Sequence, residues 1–193
     1  MKKITTIFLS LAALVTTGIN AQVNFSTSTG TYTSLTGGTQ LMKDSVWSDF
    51  LYDDLLDDMV IPLGFKIKYN STEHDTLYLY DCNILGNDNE LVFGMGLDMT
   101  DRGYGTSQSK SPIYIKREGS TPNRIVKIEF RNVGFYDELN DNSTLNDSIT
   151  VQYWFYENGN KFEFRAGPSN IGGTYPTYLN FFTVGILGKG NMP

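Results

Sequence analysis

The chain has 193 residues, with 15 Lys and Arg against 21 Asp and Glu and a formal net charge of −6. That length suits one domain with a core of its own. The acidic balance argues against partners that present phosphates, so neither nucleic acid nor an anionic membrane surface is expected.

Met1-Lys2-Lys3 is a basic start, and Ile4 to Gly18 is an apolar run too short to stay in a bilayer. Ile19-Asn20-Ala21 ends in a small residue. Residues 1–21 therefore read as a secretory signal peptide, which leaves 22–193 as a single β-sandwich domain. Losing Lys2 and Lys3 takes the formal charge from −6 to −8. No Cys follows the apolar run, so a lipid anchor at a new N-terminal Cys is not expected. No later stretch is long and apolar enough for a membrane span. Cys82 is the single cysteine, so no internal disulfide forms, and a buried small hydrophobe is the expectation over a reactive thiol.

Val23 to Gly38 is rich in Ser, Thr and Gly and reads as a short edge strand and turn. Trp47 to Val60 (WSDFLYDDLLDDMV) fits a short helix or a loop. Its Asp53, Asp54, Asp57 and Asp58 come as adjacent pairs, unlike the spacing of a calcium loop, and read as a solvated acidic face. Ile61 to Asn70 alternates as a strand, with Phe65, Ile67 and Tyr69 on one side. His74 to Asp81 is the returning strand of a hairpin. A polar turn at Gly86 to Asn89 leads into the strand Glu90 to Gly94. Leu97 to Lys110 reads as a loop, Ser111 to Arg117 as a short strand, and Gly119 to Pro122 as a turn.

Asn123 to Ala166 carries the clearest pattern. Val126, Ile128 and Phe130 alternate with Lys127, Glu129 and Arg131. Ile149, Val151, Tyr153 and Phe155 alternate with Thr150, Gln152, Trp154 and Tyr156. Phe162 and Phe164 alternate with Lys161, Glu163 and Arg165. Period-two patterning predicts half-buried antiparallel strands. The acidic Asp137 to Asp147 reads as a long loop between the first two. Gly167 to Ser169 ends the third strand, and Phe181 to Leu187 is a last, fully buried strand. The fold class is all-β: a two-sheet antiparallel β-sandwich or jelly roll of about ten strands.

No catalytic signature is present. His74, the single histidine, sits between Glu73 and Asp75 and reads as an exposed loop residue, leaving no Ser-His-Asp site. Zinc is not expected with one His and one Cys. The turn holding Asp81, Asn83, Asp88 and Glu90 could take a calcium ion, although turn chemistry alone accounts for these residue types. No other cofactor is expected. Glu129 and Glu163 point outward from neighbouring strands and form a candidate carboxylate pair for glycoside hydrolysis. Flanking Lys and Arg make cross-strand ion pairing the simpler account. The aromatic residues Tyr78, Tyr80, Trp154 and Tyr156 lie opposite core residues. With a solvated outer face they form a platform for sugar rings; with a covered one they are core.

Several phrases together resemble a module of secreted Bacteroidetes surface proteins: VIPLGFKIKYN, DTLYLYDCNILG with LVFG, EGSTPNRIVKIEFRNVGFY, and DSITVQYWFYENGNKFEFRAGPSN. The resemblance spans about Thr31 to Ser169. The chain departs from it at Asp81-Cys82-Asn83-Ile84, where the module has Thr-Asn-Gly. The resemblance implies an exported, adhesion-type module of the kind carried by type IX secretion. Pro193 leaves no room for a C-terminal sorting domain, so the chain is a fragment or a stand-alone version. Asp44-Ser45-Val46, Asp75-Thr76-Leu77 and Asp147-Ser148-Ile149 resemble the O-glycosylation triplets of such proteins. The expected function is non-catalytic binding of a glycan or a surface protein. The alternatives are a glycan-cleaving hydrolase or a purely structural domain.

Overall fold

A computed structural model describes residues 26–43, 45–47, 60–69, 72–80, 83–86, 91–94, 98–172 and 185–188. The described residues are mostly strand. They comprise β1 (Thr39–Leu41), β2 (Val60–Tyr69), β3 (Thr72–Tyr80), β4 (Asn83–Leu85), β5 (Leu91–Gly94) and β6 (Met99–Thr100). The series continues with β7 (Ile113–Glu118), β8 (Ile125–Phe135), α1 (Tyr136–Asn142), β9 (Ser148–Tyr156), β10 (Lys161–Asn170) and β11 (Gly185–Gly188). All described pairings are antiparallel. One sheet runs β1-β7-β8-β9-β10, with β6 added against β8; the other runs β11-β5-β4-β3-β2.

The alternation in the sequence sets which faces meet. Ile61, Leu63, Phe65 and Ile67 of β2 and Leu77 and Leu79 of β3 are buried in one cluster with Val126, Ile128 and Phe130 of β8 and Val151, Tyr153 and Phe155 of β9. Both sheets therefore contribute an inner face to the same core. Aromatic rings fill its centre. Tyr153 meets Phe130 edge-on at 5.9 Å and Phe164 at 5.4 Å. Trp47 packs against Phe130 at 6.3 Å and donates its indole hydrogen to the Ser111 carbonyl at 2.8 Å. Truncating a buried ring of this size costs about 3–5 kcal/mol.

Four expectations need correction. Residues 26–38 form no strand: they cross the outside of the first sheet and only then join it as β1. Asp137 to Asp147 is not all loop, since α1 occupies its first half. That helix starts with Asp137 and Glu138 in its first turn, where the dipole favours acids, and stops at Ser143 in the left-handed region. The buried Glu138 carboxylate accepts hydrogen bonds from the Thr144 hydroxyl and from the backbone N–H of Asn146 and Asp147. It thereby folds the following loop onto the helix. β10 runs through Pro168 to Asn170, past the expected stop at Gly167. A register shift between Ala166 and Ser169 absorbs the proline at this outermost strand, where its missing N–H leaves no ladder bond broken. His74 is fully buried, not exposed. Its partner on β2 is the buried Ile67; β2 keeps one face inward from Ile61 to Ile67, and the register shift between Pro62 and Ile67 changes the phase of β3 alone, so that His74 faces inward as Leu77 and Leu79 do. Gly64, with φ of 78°, lies inside that shift.

One end of the second sheet is tied to the first. Asn160, in the β9–β10 turn, accepts from the Lys68 N–H at 2.5 Å and donates to the Lys68 carbonyl. Arg117 of β7 donates to the Pro62 carbonyl at 2.7 Å. The Trp47–Val60 acidic segment beyond Trp47, Cys82 and most of the stretch from Phe181 lie outside the described residues.

Candidate functional site

The outer face of β7 to β10 is laid out in rows of cross-strand partners. Tyr114, Glu129, Gln152 and Arg165 form the first row. Lys116, Lys127, Trp154 and Glu163 form the second, and Glu118, Ile125, Tyr156 and Lys161 the third. Partners in a row stand about 4.5–5.5 Å apart at Cβ. The residues between them on each strand, among them Ile115, Ile128 and Tyr153, point into the core.

Lys116 and Lys127 are direct cross-strand partners. Like charges in that position repel. Glu118, diagonal to Lys127, takes both: Lys116 at 2.8 Å, and Lys127 in a shorter contact. Hydrogen bonds first from Lys116 and then from Lys127 hold the Glu118 carboxyl below the usual range. The Lys127 ammonium also lies 3.8 Å from the Trp154 ring centroid. From the other neighbouring strand, the Arg165 guanidinium lies over the same ring at 3.5 Å. Trp154 donates its indole hydrogen to Gln152 at 2.8 Å.

Tyr156 continues this arrangement. Its ring centroid is 6.4 Å from that of Trp154, with the rings tilted by 41°. The Lys161 ammonium sits 4.7 Å from its centroid. Burial, then a hydrogen bond to Glu163, pushes the Tyr156 hydroxyl up to about 12. Glu163 pairs with both Lys161 and Arg165. Burial pulls its carboxyl upward, but the hydrogen bonds from Lys161, Arg165 and Tyr156 win and leave it below the ordinary value. Trp154 and Tyr156 are both half-buried.

The first row is covered. Tyr32 donates to Glu129 at 2.7 Å, the Leu35 N–H donates to it at 3.3 Å, and Gln152 donates to it at 2.9 Å. Arg131 pairs with the second Glu129 oxygen and also donates to the Leu35 carbonyl at 3.1 Å. Gln152 donates to the Thr33 carbonyl at 2.9 Å. The segment 32–35 thus straps across β8 and β9, and Glu129 is fully buried beneath it.

The expected platform of four rings is therefore divided. Trp154 and Tyr156 lie on β9 of the first sheet; Tyr78 and Tyr80 lie on β3 of the second. Tyr78 is half-buried, and the Tyr80 side chain lies outside the described residues. The expected carboxylate pair is not brought together either. β9 stands between β8 and β10, Glu129 is buried, and the ion pairs run along strands, Glu129 to Arg131 and Glu163 to Lys161 and Arg165. Asp81, Asp88, Glu90 and the Asn83 side chain lie outside the described residues. Among the described residues no group of three His, Cys, Asp or Glu side chains is placed to hold a metal. Of the triplets, Ser148 is buried at the start of β9, Thr76 is half-buried and donates to Asp75 at 3.0 Å, and Ser45 is exposed.

Sequence reasoning missed the cations around Trp154 and the tyrosine that covers Glu129. The cations were within reach. The four-residue turn from Glu157 to Asn160 sets Tyr156 against Lys161, and counting back from it puts Glu163 beside Trp154. Tyr32 was not, because nothing near it signals a partner 97 residues away.

No helix among the described residues is long and apolar enough to cross a membrane. A family model described as NIDO related matches residues 90–192. Neither the curated proteins nor the solved structures compared with the chain include a match.

Proposed function

The chain belongs to the NIDO-related family, and from that premise we propose that it is a non-catalytic binding module, exported to the cell surface or beyond, whose ligand is a glycan. The observation that carries this reading is the Trp154–Tyr156 pair, half-buried on an outer sheet face with centroids 6.4 Å apart. Aromatic side chains fixed at a surface give sugar rings and other flat ligands a rigid contact. The basic start and short apolar run of residues 1–21 support export, and the phrases that resemble surface proteins fit an adhesion-type role in a Bacteroidetes-like setting. A β-sandwich or jelly-roll packing of the two sheets accounts for the single core to which both contribute. Calcium at the turn from Asp81 to Glu90 is a secondary proposal, tested by calorimetric titration with calcium.

Glycan-array screening of the native chain, repeated with Trp154→Ala and Tyr156→Ala, tests the main reading. Binding that drops in both variants while the thermal transition persists supports it. Binding to no glycan, or binding untouched by either change, overturns it and favours a protein ligand or a purely structural role.

A further inference from the structure

We infer that the glycan held by this face is an acidic one, bearing carboxylate or sulfate groups; the inference rests on the glycan-binding reading above. Three observations point there.

The first is local charge. On the uncovered rows Lys116, Lys127, Lys161 and Arg165 are paired with two carboxylates, Glu118 and Glu163. Glu118 and Glu163 each serve two cations. The face is thus cationic on a chain whose formal net charge is −6.

The second is the state of the rings. Lys127 and Arg165 lie 3.8 and 3.5 Å from the Trp154 centroid, and Lys161 lies 4.7 Å from that of Tyr156. A sugar that packs against the exposed parts of these rings has cations at its side. A ligand that carries its own anionic groups meets N–H donors beside the rings. Lysine has three such donors and arginine five, more than a shared carboxylate can accept.

The third is the Lys116–Lys127 pairing. Two lysines in direct cross-strand register break the usual rule of sheet pairing. Local rules are most often broken at functional sites. Glu118 bridges the two, yet one carboxylate shared by two ammonium groups leaves that cluster one charge positive.

An acidic glycan fits better than nucleic acid. Duplex DNA carries a charge about every 1.7 Å, and a polymer that dense is repelled by the acidic remainder of the chain. A uronate or sulfated glycan spaces its charges by whole sugar rings.

Calorimetric titration of the full chain with polygalacturonate, chondroitin sulfate, dextran and a single-stranded oligonucleotide tests this. The expected result is binding of an acidic glycan that weakens as salt rises. In Lys161→Gln/Arg165→Gln it should fall about tenfold or more, the effect of losing charge-assisted hydrogen bonds at a part-exposed site. Lys66→Gln/Lys68→Gln removes the same charge from the second sheet and should bind as the native chain does. Equal loss in both double variants would reduce the effect to net charge and overturn the inference. Preference for dextran, lost in Trp154→Ala, overturns the inference and leaves the glycan reading standing. Binding to none of the polysaccharides overturns both, and preference for the oligonucleotide reassigns the face to nucleic acid.

Discussion

Tyr32 donates its hydroxyl hydrogen to Glu129, and its ring lies where a side chain on Gly167 would have to go: a Cβ there would come within 2.6 Å of it. One residue of the strap thus touches β8 through its tip and β10 through its flat. Burial, and then the hydrogen bond to Glu129, pushes the Tyr32 hydroxyl well above its ordinary value, so it stays a donor at every physiological pH. Tyr32→Phe should cost about 1–2 kcal/mol, because Glu129 keeps Gln152, Arg131 and the Leu35 N–H. Glu129→Ala should cost more, about 3–5 kcal/mol, since it takes the acceptor from the Tyr32 hydroxyl and the Leu35 N–H and the counter-charge from Arg131 at once. Gly167→Ala should shift the strap without removing any hydrogen-bonding group. Urea unfolding of the three variants checks the order.

Glu138 does for the α1–β9 loop what Glu129 does for the strap. Its oxygens take the Thr144 hydroxyl and two backbone N–H groups, with Arg102 holding the Leu145 carbonyl from the far side at 2.8 Å. Glu138→Ala should destabilise the chain by about 2–4 kcal/mol, and Thr144→Ala by about 1 kcal/mol. Hydrogen exchange at the Asn146 and Asp147 amides should accelerate in the first variant.

Tyr156 and Glu163 should titrate as partners. The hydroxyl is raised to about 12, by burial first and by Glu163 second. A raised tyrosine contributes stability that is present below its unfolded value and is lost as pH climbs through about 12. Ultraviolet titration of tyrosinate in native and Glu163→Gln chains should show one group ionising earlier in the variant. Glu163 and Glu118 carry the opposite sign. Their carboxyls are held low, so their contribution is present above the ordinary glutamate range and fades as pH falls below it. Acid unfolding of Glu118→Gln should show a flatter pH dependence than the native chain.

Asn160 adopts a left-handed backbone, with φ of 49°, while its amide holds both backbone groups of Lys68. Asn160→Gly keeps the turn and loses the clamp; Asn160→Ala loses both. The expected costs are about 1–2 kcal/mol for glycine and a further ~1 kcal/mol for alanine, read as midpoint shifts in urea.

The apolar halves of the strands were legible. Val126, Ile128, Phe130, Tyr153 and Phe155 all face the core as their alternation requires. The polar halves were not. Alternation says which side of a strand is apolar, and nothing about what lies over the other side. Lys127 and Glu129 read as solvent-facing, yet they are buried because Trp154 covers one and the 32–35 strap covers the other. His74 was misplaced for a different reason. The register shift in the β2–β3 hairpin changes the phase of β3 while β2 keeps its own, and the residues of β3 do not show where that change falls. The short helix α1 was hidden by its composition: Asp and Asn are poor helix formers, and what secures it is the buried Glu138.

β2 is the outermost described strand of its sheet. An outermost strand is a template: its open backbone groups invite another chain to pair, and stacks of such pairings grow into fibrils. Here the Lys68 groups are taken by Asn160, the Pro62 carbonyl is taken by Arg117, and Pro62 has no N–H to offer. Three polar contacts thus act as a stopper against sheet growth.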